Sequence, residues 1–293
     1  MTEQRRGNVY GLAAYAMWGL FPLYWPLLRP ATAVEILAHR IVWSLVFTAL
    51  LLSGLRGLAD LRRLGRRGLS LLALAAVFVS VNWGIYIWAV NHGHVVETSL
   101  GYFINPLVSV MLGVVFLGER LRWSQWIAVA IAAAAVVVLT VDHGRPPWIA
   151  LALAASFGLY GFVKKKAGVP ALPSLTVETG ILFPPALVYL VVLVARGAAA
   201  FGHAGATVSV LLAAGGVVTA VPLLCFAAAA NRIPLSRLGL LQYVAPVLQF
   251  LCGVLVFHEA MPASRWLGFA LVWLGLGWFT VESFMHARGS RRS

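Results

Sequence analysis

Glu35, His39 and Arg40 lie within one short stretch of an otherwise apolar run. Glu35 and His39 are four residues apart, so on a helix they share a face and can pair or pass a proton. Of the three, His39 has the ordinary pKa nearest working pH. Charges inside an apolar helix are costly to bury in lipid, which makes them candidates for function by default. The plainer alternative is a helix-start charge at Glu35 and an outward-reaching Arg40. Glu178 follows Val177 as Glu35 follows Val34, at an offset of 143. The two carboxylates are expected towards opposite membrane faces, a geometry suited to a gate or proton relay on each side.

A second set of polar residues sits in the apolar runs. Asn82, Asn105, Gln242 and Gln249 can bond across helices or contact a substrate. Asn105 adjoins Pro106, and Gln242 lies four residues before Pro246. A proline inside a helix leaves the carbonyl four residues back without its donor, here those of Tyr102 and Gln242. Trp18, Tyr102, Tyr160 and Tyr243 can line a cavity or sit at a membrane interface. Glu119 and Glu259 read as helix-end anchors. His92, His94 and Glu97 read as a solvated turn, since they lack a metal-site spacing.

The elements that carry these residues follow from composition. The chain is 61% hydrophobic and 11% charged, with mean hydropathy +0.89, whereas globular chains carry about 25% charged residues. Ten apolar blocks are visible, at about 8–28, 34–55, 69–91, 95–117, 123–141, 147–163, 174–195, 207–230, 235–257 and 262–284. Each is near the ~20 residues a helix needs to cross a bilayer, and backbone at that depth must be helical. With the N-terminus placed inside, seventeen Lys and Arg fall on the inner side and four on the outer, with Arg40 inside a span. This bias supports ten spans with both termini in the cytoplasm. It also accounts for the net charge of +13 without a nucleic-acid partner. The first block is too long, and too rich in Trp and Pro, for a signal peptide.

The blocks repeat. At an offset of 140, Asn91 maps to Asn231, Pro106 to Pro246, Gly113 to Gly253, Glu119 to Glu259 and Trp126 to Trp266. Duplication fixes the architecture: an all-α polytopic membrane protein with two five-helix repeats, 8–141 and 147–284. An odd number of spans per repeat inverts the second relative to the first, as in many secondary transporters. Gly113, Gly253 and the glycines of the last block read as close-packing positions. The chain has no nucleotide-binding loop, no nucleophile elbow and no H-E-x-x-H, so no ATP-driven engine, hydrolase or zinc protease is indicated.

The strings LAAYAMWG (12–19), EILAHRIVWS (35–44), NWGIYIWAVN (82–91), SLGYFINPLVSV (99–110), FLGER (116–120), SFGLYGFVKKK (156–166) and VPLLCFAAAA (221–230) resemble the RarD-type permeases. These form part of the EamA-domain branch of the drug/metabolite transporter superfamily. The similarity spans essentially the whole chain; one departure is His258-Glu259, where the pattern has Gly-Glu. The resemblance implies a multi-pass permease of the bacterial inner membrane that exports small metabolites or drug-like compounds. Exchange against protons would need no other cofactor. It further implies a central cavity lined by helices one to four and six to nine, with five and ten peripheral. The expected partners are a small-molecule substrate and the lipid bilayer; a homodimer is allowed. In this reading Pro106 and Pro246 shape the cavity, Asn105 and Gln242 offer hydrogen bonds, and Glu35 with His39 carries the coupling proton. An intramembrane enzyme using Glu35 and His39 as acid and base, or a non-transporting scaffold, are the other classes these residues allow.

Overall fold

The computed structural model describes residues 2–54, 61, 64–117, 123–143, 146–230, 232–233 and 241–289, and all regular structure among them is helical. In chain order the long helices are α1 (Glu3–Tyr24), α2 (Ala33–Gly54), α3 (Arg66–Asn91), α4 (Val95–Leu117), α5 (Trp123–His143) and α6 (Trp148–Ala167). There follow α7 (Ala171–Ala195), α8 (Ala206–Ala230), α9 (Val244–Leu251) and α10 (Ala263–Gly289). By length and composition four are apolar and long enough to cross a membrane: Ala33–Gly54, Arg66–Asn91, Ala171–Ala195 and Ala206–Ala229. Many large side chains point outward, with Leu50, Val115, Val210 and Leu274 each 66–69% exposed. In water such a surface would drive aggregation; against lipid tails it is the matching solvent.

Local signals set the helix ends. Thr2 caps α1 by accepting from the Arg5 amide at 3.4 Å, and Thr32 accepts from the Glu35 amide at 3.2 Å at the start of α2. Gly168 closes α6 at φ 64°, a left-handed position where glycine has no side chain to clash. α1 gives way to one 3-10 turn, Trp25–Leu28, with Pro26 near its start.

Two prolines act differently. α4 runs without a break through Pro106. The ninth apolar block, expected as one helix over 235–257, instead turns at Gln242–Tyr243 and starts α9 just ahead of Pro246. Pro246 therefore falls in a first turn, where its missing N–H is no loss. The Gln242 carbonyl, expected to lack a donor, accepts from Ala245 N at 3.3 Å. α9 then widens into a π turn, Cys252–Val256, where Phe257 N donates to Cys252 O at 2.9 Å.

Helix packing follows a rule. α4 packs on α6 and α9 on α1; α3 packs on α6 and α8 on α1; α2 packs on α8 and α7 on α3. Each pair becomes the other when every helix is exchanged for the one five places away. α2–α7, α4–α9 and α5–α10 map onto themselves. α2 and α7 run antiparallel: Thr32 meets Tyr189 at 3.5 Å between hydroxyls, while Leu45 lies near Gly180. α5 and α10 lie mainly against one another; both touch α4, and α10 also meets α9 where Phe250 packs on Phe269 at 4.8 Å between ring centroids.

Candidate functional site

Arg40 occupies the interior of the bundle at 4% exposure. Its Nε donates to Thr219 Oγ1 on α8 at 2.7 Å, and that hydroxyl donates to Gly215 O at 2.8 Å. Its Cζ lies 3.8 Å from the Trp83 ring centroid, 5.2 Å from Trp25 and 5.7 Å from Phe21. Among the described residues no carboxylate lies within ion-pair distance of it. A guanidinium stripped of water is costly, and aromatic faces offset part of that cost, about 2 kcal/mol for a desolvated contact. α2 and α8 can meet here because Gly216 has no side chain: a Cβ at that position would fall on the Trp43 carbonyl group.

The amides tie helices together around this centre. Asn82 Nδ2 donates to Leu153 O and Ser156 Oγ on α6, both at 3.1 Å, and its Oδ1 accepts from Tyr102 OH at 3.1 Å. Asn105 Nδ2 donates to Ala154 O at 3.1 Å, so this amide is taken up by α6. Gln249 Nε2 donates to Trp18 O at 3.2 Å, linking α9 to α1. Gln242 and Tyr243 are half-buried in the turn before α9, Pro246 is buried, and Pro106 is half-buried in α4. The proposed aromatic lining is split in two. Trp18 packs with Tyr15 and Phe226 at 5.4 and 5.9 Å between centroids. Tyr102 contacts Tyr86 and Phe157 at 5.7 and 5.9 Å, and Phe157 leads on to Tyr160 at 5.9 Å. A cavity of about 310 Å³ opens between α4 and α5, but its walls, among them Leu107, Met111 and Phe116, are apolar and hold none of these groups.

Glu35 and Glu178 are both 1% exposed. Glu35 Oε1 accepts from the amides of Ala200 and Phe201 at 2.7 and 3.2 Å, clamping the segment between α7 and α8. His39 does not bond to it: the imidazole stacks on Phe201 at 4.7 Å, and its Nδ1 is buried without a partner. The helical spacing does bring the two together, but the incoming 200–201 segment supplies better donors to the carboxylate than a neighbouring ring can. Glu178 is held by side chains instead. Its Oε1 accepts from Lys164 Nζ at 2.8 Å and Ser174 Oγ at 2.6 Å, and its Oε2 from Tyr160 OH at 3.1 Å. The antiparallel α2–α7 pair puts these carboxylates towards opposite ends of the bundle.

Two more carboxylates serve as clamps at the Glu35 end. Glu259 accepts from the amides of Val95 and Val96 at the start of α4, the latter at 2.9 Å. Glu97 accepts from Ile149 N at the start of α6 at 3.1 Å. Both satisfy helix-start donors that have no intrahelical partner. Burial raises the Glu259 carboxyl above its ordinary pKa, and the two amides pull it back down. Glu119, its repeat counterpart, lies outside the described residues. His92 and His94 stack on Trp88 at 4.5 and 5.9 Å. Among the described residues no cluster of three or more His, Cys, Asp or Glu could hold a metal. Lys164, Thr219, Trp25 and Trp83 also belong to these sites. The sequence marks Lys164 only as one of the inner-side charges, and the others carry no signal until the helices are packed.

A multi-pass helical bundle with a cation and two carboxylates buried inside it has the build of a membrane transporter. The EamA-like transporter family model matches twice, over residues 5–141 and 146–281. Protein RarD of Streptomyces exfoliatus is 58% identical over 292 residues, covering 99% of this chain and 93% of that one. The uncharacterized transporter YojE of Bacillus subtilis is 46% identical, covering 99% and 98%. A solved structure described only as a crystal structure of a protein superposes with TM-score 0.59 at 20% identity. That match covers 94% of this chain and 96% of the other and speaks for the fold alone. The chain belongs to the EamA-like transporter family, and within it to the RarD-type permeases.

Proposed function

We propose that this permease is a secondary active exporter of small metabolites or drug-like compounds in the bacterial inner membrane. It works by alternating access between two inverted five-helix repeats, 8–141 and 147–284. The observation that carries this reading is the packing rule: helix contacts map onto themselves on a five-place exchange, around a seam that contains a buried charge. The double family match and the antiparallel α2–α7 pair also support it. A bundle of this kind has two related packings of similar energy, and rocking one half against the other exchanges them.

In this reading, supported by the bias of basic loops, the Glu178 end faces the cytoplasm and the Glu35 end the outside. Closure at the outer end is held by the Glu35, Glu97 and Glu259 clamps. Protonation of Glu35 weakens its two charge-assisted amide bonds and frees the 200–201 segment. His39, stacked on that segment with an unpartnered nitrogen, is the base that exchanges the proton. Coupling thus runs through a clamp that opens when protonated.

The test compares metabolites inside and outside cells producing the wild type or Glu35→Gln/His39→Ala at equal membrane abundance. A compound leaving faster only with the wild type is the expected result. Equal efflux from both, with unchanged pH dependence, would remove the proton role. A new chemical species in place of efflux would make the protein an enzyme.

A further inference from the structure

Resting on that transporter reading, we propose that Arg40 is the recognition point for a carboxylate on the cargo. The substrate class is therefore organic acids, including zwitterions, with an apolar or aromatic body.

The guanidinium has five N–H donors and the structure uses one, Nε, on Thr219. Among the described residues neither terminal nitrogen makes a hydrogen bond, on a residue that is 4% exposed. Two more buried donors nearby are also unpartnered: Trp25 Nε1, on a ring that flanks the guanidinium, and Tyr86 OH. The phenols of Tyr24, Tyr86 and Tyr102 all lie within electrostatic reach of the charge. Tyr24 gives its hydroxyl proton to Leu211 O at 2.5 Å and Tyr102 its own to Asn82 Oδ1, so each can offer the guanidinium a phenol oxygen but no countercharge. The site thus has surplus donors, a full positive charge and no counter-ion among the described residues.

Such a site needs a ligand that only accepts and carries negative charge. A carboxylate meets both terms, and its two oxygens match the fork of the terminal nitrogens. A neutral cargo leaves the charge unpaired, and an ammonium cargo is repelled. A phosphate monoester brings nearly two charges to a single cation. The aromatic faces of Trp25, Trp83 and Tyr86 then suit an apolar body behind the acid group. Thr219, from the second half, holds the guanidinium against the first-half cage, so movement between the halves alters the grip on the acid.

The test is thermal unfolding of purified full-length protein in detergent with matched probe pairs at equal ionic strength. The pairs are acetate with acetamide and benzoate with benzamide, and inorganic phosphate is the third anion. Benzoate should raise the unfolding temperature saturably at millimolar concentration, acetate less, and the amides not at all. Arg40→Lys should bind benzoate about tenfold more weakly, as expected when a two-point contact becomes one-point. Arg40→Met should abolish the response. Tyr86→Phe, which removes only a hydroxyl, should weaken binding while leaving ligand-free unfolding near that of the wild type. Equal stabilisation by benzamide, an unchanged benzoate response in both Arg40→Lys and Tyr86→Phe, stabilisation by phosphate alone, or no response to any probe would each overturn the proposal. Benzoate binding in a protein that exports nothing from cells would leave the acid site standing and remove the transport reading. Efflux of compounds without an acidic group would do the reverse.

Discussion

Glu35 and Glu178 follow a valine at equivalent points of two repeats and are equally buried, yet they hold different things. Glu35 takes two backbone amides of the 200–201 segment on one oxygen. Glu178 takes a lysine, a serine and a tyrosine. The position recurs at an offset of 143, while the partner is set by whatever the local packing delivers. A carboxylate held by backbone is insensitive to the side chains around it. One held by side chains depends on each of them. The two ends of the bundle should therefore fail in different ways.

Glu35→Leu should give the largest effect, about 3 kcal/mol, because two amides lose their acceptor in a dry setting. Thermal or denaturant unfolding in detergent reads it directly, and a loss under about 1 kcal/mol would mean that water reaches the 200–201 segment. Lys164→Met should follow at about 2 kcal/mol, since it strands the Glu178 charge. The lysine is 21% exposed, which tempers the loss. Lys164→Met/Glu178→Leu should recover part of that, because removing both charges removes the stranded one. A double variant as unstable as the sum of its parts would show that the pair acts independently. The smallest effect is expected for Glu35→Gln, about 1 kcal/mol, since the amide oxygen can still accept both N–H groups but without the charge that strengthens them, as in the protonated clamp. If Glu178→Gln were equally mild, the contrast between the two ends would collapse.

The legible part of this molecule was the part written in periodicity and composition. Ten apolar blocks meet ten helices among the described residues, four of them long and apolar enough to cross a membrane, with the largest difference at the ninth, which is eight residues long. There Pro246 cannot donate to Gln242, and the chain turns before starting α9. The same residue type at Pro106 leaves α4 continuous, so proline alone did not decide the outcome. Glu35, His39 and Arg40 were visible as a cluster because charges in lipid-length runs stand out. Their partners were not. Thr219, Trp83, Trp25 and the amides of Ala200 and Phe201 come from distant elements, and no local pattern encodes a contact closed by folding. Lys164 was hidden for a different reason: in a run of three lysines it looked like a charge meant for water.

The contact at Gly216 also makes the seam an insulator. With α2 and α8 touching backbone to backbone, the line between them has no room for a file of water molecules, each of which needs space and polar partners. Arg40, one turn away, adds a positive barrier of the sort that keeps protons out of water-conducting pores. A carrier that moves cargo in single turnovers must not short-circuit the membrane potential between them. A glycine that at first looks like a packing convenience thus closes the line between α2 and α8 to water.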